Sequence, residues 1–145
     1  MQPNSNWTPF REPIGRTLAR NISIAVVVGA ALAFWKHNVG LWAPFSALAI
    51  WFSLGGHYVE VVFLNGIRPR IPGARLTQLL ARLAAWFAGG AILYVFMAAT
   101  ARVLLTHAPR LGLWWLGGLF LIGVELVAHA VLALRGSSSF YNGGD

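Results

Sequence analysis

The stretch LGLWWLGGLFLIGVELVAHAVLAL, residues 111–134, decides how the chain is read. It is long enough to cross a bilayer, which takes about 20 consecutive apolar residues. Its only formally charged side chain is Glu125, with His129 one turn further on. A second stretch repeats the pattern: GGHYVEVVFLNG, residues 55–66, carries His57 and Glu60 in apolar surroundings. An ionised group at the centre of a membrane helix costs about 2.5–3.5 kcal/mol on insertion scales. Such groups are therefore expected to face other helices and to have a use.

Working outward, the whole chain has the composition of a membrane protein. Of 145 residues, 57% are hydrophobic and 10% charged, against roughly 25% charged in an average soluble domain. The length suits four spans and short connections, without a soluble domain. We expect an all-α integral membrane protein, a four-helix transmembrane bundle with spans at about 16–35, 39–64, 76–105 and 111–134. Residues 1–15, with Pro3, Pro9 and Pro13, read as an N-terminal tail, and 135–145 (RGSSSFYNGGD) as a flexible C-terminal tail. Asn65-Gly66 reads as the stop of the second span. The prolines of IRPRIPGAR, residues 67–75, predict an extended turn.

Net charge is +7, from eleven Lys+Arg against four Asp+Glu. The basic residues gather at span ends, where anionic headgroups explain them without nucleic acid. Arg68, Arg70 and Arg75 form a headgroup-binding strip. Eight cations (Arg11, Arg16, Arg20, Arg68, Arg70, Arg75, Arg82 and Arg135) fall on one side, and Lys36, Arg102 and Arg110 on the other. The positive-inside rule places both termini in the cytoplasm, and we expect an inner (plasma) membrane of bacterial type. Trp35, Trp42, Trp114 and Trp115 collect at the opposite interface, an aromatic belt that agrees with the charge count. The chain has no cysteine, so disulfides, thiolate metal sites and iron–sulfur clusters are excluded.

Depth along the helices, at about 1.5 Å per residue, puts His57 and Glu60 within one or two turns of Glu125 and His129. Their spacings of three and four place each pair on one helix face. Ser46, Ile50, Ser53, His57, Glu60 and Leu64 extend that face on the second span. Gln78, Arg82, Ala85, Gly89 and Phe96 make a stripe on the third. The spans are expected to converge on one polar layer: Arg20, Asn21, His57, Glu60, Gln78, Arg82, Glu125 and His129. Arg20 and Arg82 would neutralise Glu60 and Glu125. The Gly55-Gly56, Gly89-Gly90 and Gly117-Gly118 pairs predict close helix packing.

The favoured expectation is a non-enzymatic accessory or scaffold subunit, or a homo-oligomer, whose partners are lipids and other membrane subunits or itself. It would need no cofactor. A haem- or metal-binding electron-transfer protein is the first alternative, with His57, Glu60, Glu125 and His129 as candidate ligands. A proton-coupled or small-solute pathway through the layer is the second. No HExxH, GxSxG or phosphate-loop motif is present, and the layer lacks a nucleophile.

Overall fold

The computed structural model describes residues 11–135 and is helical nearly throughout, with no strand among those residues. Helix α1 runs Ile14–Trp35, α2 Trp42–Val62, α3 Arg75–Leu104 and α4 Trp114–Leu134. All four are long and apolar enough to cross a membrane.

Helix α1 starts directly after Pro13, which is still extended (φ −57°, ψ 132°) and whose carbonyl accepts the Thr17 amide at 3.1 Å. It ends in a tight reversal. The His37 and Asn38 amides donate to Phe34 and Ala33, and His37 adopts φ 53°, the left-handed conformation usually given to glycine at a helix end. A single 3₁₀ turn, Val39–Leu41, leads into α2.

The Asn65-Gly66 stop expected in the sequence does not occur. The helix widens instead into a π turn over Phe63–Ile67 and tightens into a 3₁₀ turn at Arg68–Arg70. Pro69 sits in the first turn of that segment, where its missing amide hydrogen breaks no bond. The chain becomes extended only at Ile71, whose conformation is restricted by Pro72. The expected extended turn thus shrinks to residues 71–74.

Each consecutive helix pair meets at a glycine. A Cβ on Gly29 of α1 would lie 2.2 Å from Ser46 Oγ of α2. Gly55 of α2 receives Leu93 of α3, and Gly89 of α3 receives Val59 of α2. Gly90 of α3 and Gly117 of α4 touch backbone to backbone, each facing the other's carbonyl oxygen. On α1 the buried residues are Thr17, Asn21, Ala25, Gly29 and Ala33, a stripe of small side chains at four-residue intervals on the helix that packs chiefly on α2. Small residues let helix axes approach closely, which matters where lipid offers no hydrophobic drive for association.

The principal packing therefore runs α1–α2, α2–α3, α3–α4. Helix α4 also reaches α2 through the edge-to-face pair Phe52–Phe120, at 5.2 Å, and through Leu121 over Gly56. The small apolar core is Trp86, Leu93 and Leu121, with Trp51, Phe52, Val59 and Ile122 against it. An apolar groove of about 460 Å³ is left between α1 and α4 over α2, lined among others by Ile24, Val28, Phe52 and Val124.

A candidate polar site: the buried Arg82 cluster

Arg82 lies on α3 about 10 Å in from Arg75, at 1.5 Å per residue. Glu125 lies on α4 about 14 Å in from Leu134 by the same measure. The two come together because their helices run antiparallel. Eight residues separate Arg82 from Gly90 on α3, and eight separate Gly117 from Glu125 on α4. The register that seats Gly90 on Gly117 therefore seats Arg82 on Glu125.

The Arg82 guanidinium is the hub. Its Nε donates to Glu125 Oε1, and its Nη2 donates to Glu60 Oε1 at 2.7 Å and Oε2 at 2.5 Å. The side chain of Arg82 is 1% exposed, that of Glu125 3% and that of Glu60 13%. Phe63, carried inward by the π turn, is buried with its ring 5.3 Å from the Arg82 Cζ. That is a cation–π contact, strongest when desolvated as here. Three elements, α2, α3 and α4, are joined through one side chain.

A second cluster forms nearer the N-terminal end of α1. Arg20 holds Glu12 with two parallel hydrogen bonds, at 2.6 and 2.9 Å, and Thr17 donates to the same carboxylate at 2.9 Å. These bonds hold the Glu12 carboxyl below its ordinary pKa, the Arg20 bonds contributing most. Arg20 Nη2 also lies 3.2 Å from His57 Nδ1, and His57 Nε2 lies 3.7 Å from Glu12 Oε2. Between α1 and α2, Ser53 donates to the carbonyl and the side-chain oxygen of Asn21, each at 3.0 Å.

The single polar layer expected from depth is thus two clusters. Glu60, Arg82 and Glu125 are brought together; Arg20 and His57 join Glu12 instead. Arg20 does not neutralise Glu60 or Glu125, because Glu12 lies eight residues earlier and needs no second helix to reach it. Gln78 belongs to neither cluster: its side-chain amide donates to the Pro72 carbonyl at 3.0 Å and braces the connection before α3. His129 is partly buried, one turn beyond Glu125 on α4. Of the headgroup strip, Arg70 folds onto the Gly66 carbonyl, and Arg68 and Arg75 flank the connection. Glu12 and Phe63 were not singled out in the sequence. Glu12 was legible as the nearest acid to Arg20; the π turn that delivers Phe63 has no comparable signal.

No three of the His, Asp and Glu side chains among the described residues are placed to hold a metal ion. The two carboxylates proposed as ligands turn onto Arg82, and His57 turns toward Arg20 and Glu12. A guanidinium offers five fixed donors, which suits carboxylates arriving from two helices. No protein-family model, curated protein or solved structure matches the chain.

Proposed function

We propose that this is a multi-pass integral membrane protein, a four-helix transmembrane bundle that works as a non-enzymatic accessory or scaffold subunit or as a homo-oligomer. Its termini and the Arg68–Arg75 connection face the cytoplasm of a bacterial-type cell, against anionic headgroups. One observation carries the assembly role: the intramembrane polar groups are spent on joining helices, while the outer helix faces are left apolar and bare. Arg82, Glu60 and Glu125 bond to one another, and Asn21 bonds to Ser53. Val27, Phe34, Val103 and Val127 meanwhile stand exposed at 64% or more. Helix α1 packs chiefly on α2 alone, so most of its circumference is open to another subunit or to lipid.

Native mass spectrometry from nanodiscs tests this reading. A defined oligomer, or a stoichiometric complex with another membrane subunit that survives purification, is the expected result. A strictly monomeric chain at every concentration, purifying without a partner from its native membrane, would refute it.

A further inference from the structure

The apolar groove between α1 and α4 runs toward a polar cap at one end. Its α1 wall carries Ile24, Val28 and Leu32, spaced by four. Residues four apart share a helix face, and the same stripe continues toward the N-terminus as Arg20 and Arg16. Its α2 wall carries Phe45, Ala49 and Ser53, again spaced by four, and the next step is His57. The two stripes converge there: Arg20 Nη2 lies 3.2 Å from His57 Nδ1. Helix α1 packs chiefly on α2 and α4 chiefly on α3, so the groove opens sideways between α1 and α4.

The walls call for an apolar occupant. Among the described residues that line them only Ser53 is polar, and its hydroxyl already donates to Asn21. Water needs several polar partners, which these walls do not offer. The size suits an alkyl chain: 460 Å³ is about fifteen times the roughly 30 Å³ of a water-sized group in a liquid. Spread over the roughly 12 Å from Ile24 to Leu32, the volume has a cross-section of about 40 Å². A helix about 10 Å across fills about twice that area, so the groove is too narrow for one. The depth suits one leaflet. Arg20 to Leu32 spans about 18 Å on α1, against about 15 Å for half a hydrocarbon core.

We propose that the groove binds one acyl chain of an anionic phospholipid from the leaflet nearer the N-terminus, with its phosphate on Arg20 and Arg16. A guanidinium has five donors, of which Glu12 takes two, and the Arg20 side chain is 46% exposed. Arg16, one turn earlier, is exposed as well. Phosphate oxygens accept from a guanidinium as carboxylates do. Basic side chains at the mouth of a cleft between membrane helices are suited to hold anionic headgroups. The site rests on the transmembrane reading above and not on the assembly role.

The protein is reconstituted in nanodiscs of equal phosphatidylcholine and phosphatidylglycerol, then released into mild detergent for native mass spectrometry. The expected adduct is one phosphatidylglycerol per chain, with phosphatidylcholine retained less. Val28→Trp fills the groove and should lose the adduct. Val27→Trp adds the same bulk at a 69% exposed position outside the groove and should keep it. Arg20→Gln should keep a lipid but lose the headgroup preference. A photoactivatable phosphatidylglycerol with a mid-chain diazirine needs no variant: on wild type its cross-links should concentrate on groove residues of α1, α2 and α4. Cross-links spread evenly over the outer helix faces overturn the site. So do folded wild type without bound lipid, an adduct surviving Val28→Trp, equal retention of both lipids, or a preference unchanged in Arg20→Gln. A lipid-free dimer that Val28→Trp abolishes gives the groove to a second copy and overturns it too. A chain that never enters nanodiscs refutes the transmembrane reading itself; one that enters and binds no lipid refutes the site alone.

Discussion

Gly90→Ala sets the geometry of the α3–α4 crossing against the intrinsic preference of a helix for alanine. The added Cβ would lie 2.2 Å from the Gly117 carbonyl oxygen, 2.7 Å from its carbon and 2.9 Å from Gly118 Cα. Ordinary contact begins at 3.4 Å, so the helices must part by about 1.2 Å. All three obstacles are backbone atoms, which have no rotamer to change. A gap of about 0.5–1 Å already forfeits a quarter to a half of each dispersion contact. Overpacking costs about 1–3 kcal/mol, and rigid neighbours put this site at about 2–3 kcal/mol. Removing a helix glycine returns about 0.8–1 kcal/mol. The net expectation is a loss of about 1–2 kcal/mol.

Gly123→Ala is the control, on α4 with nothing within 4 Å of its added Cβ. It should stabilise by about 0.5–1 kcal/mol, the propensity term alone. Equilibrium unfolding in mixed micelles, followed by tryptophan fluorescence and circular dichroism, reads both. Gly117→Ala should behave like Gly90→Ala, and the double variant should lose less than the two single losses together, since one separation of the helices serves both. Equal signs at positions 90 and 123, or strict additivity of 90 and 117, would refute the crossing.

Arg82→Leu removes the donor that Glu60 and Glu125 share and should destabilise by about 3–5 kcal/mol in the same titration; an unchanged transition would rule out the pairing. His37→Gly relieves the left-handed conformation at φ 53° and should raise stability by about 1 kcal/mol, whereas a loss would mean the side chain itself holds the turn. The depressed Glu12 pKa makes the hold of residue 12 on α1 pH-dependent: its stabilisation is full above the ordinary glutamate pKa and is lost as pH falls through the lowered one. Amide exchange at the first turn of α1 should therefore speed up in acid for wild type but stay flat with pH, apart from its intrinsic rate, in Glu12→Gln.

Different physical signals made different parts of the chain legible. Length and apolarity mark four helices, because a membrane-spanning helix needs nothing beyond its own backbone bonds. The glycine pairs flagged close approach, yet the sequence does not say which helix each glycine meets. Gly89 faces Val59 and its neighbour Gly90 faces Gly117, so one pair serves two interfaces. Gly29, standing alone, carried no pair to flag it. Depth and face arithmetic put Glu60, Arg82 and Glu125 at one level but left out competition from acids nearby in the chain. That is why Arg20 was assigned to a distant carboxylate while Glu12 lay closer along the chain. Asn65-Gly66 misled for a similar reason: the backbone absorbs it as a π turn, where the tertiary contact of Phe63 with Arg82 outweighs local propensity.

The Arg82 cluster also answers a question that apolar packing leaves open, namely which helix neighbours which. In a bilayer one leucine-rich face is much like another, so dispersion alone discriminates poorly between helix orders. Within the helices only α2 and α4 carry a carboxylate, and α3 carries the arginine that bonds them both. Any arrangement that fails to place α3 between α2 and α4 strands at least one carboxylate away from Arg82, at a cost comparable to breaking a buried pair, about 3–5 kcal/mol. Helix α1 has no acid along its length and is fixed by shorter-range means: Asn21 with Ser53, Gly29 under Ser46, and the Trp42 indole on the Val26 carbonyl at 3.0 Å. Close glycine contact and charge then specify the same α3–α4 register. The backbone approach at Gly90 and Gly117 holds the axes near enough for a glutamate to reach Arg82 across the interface.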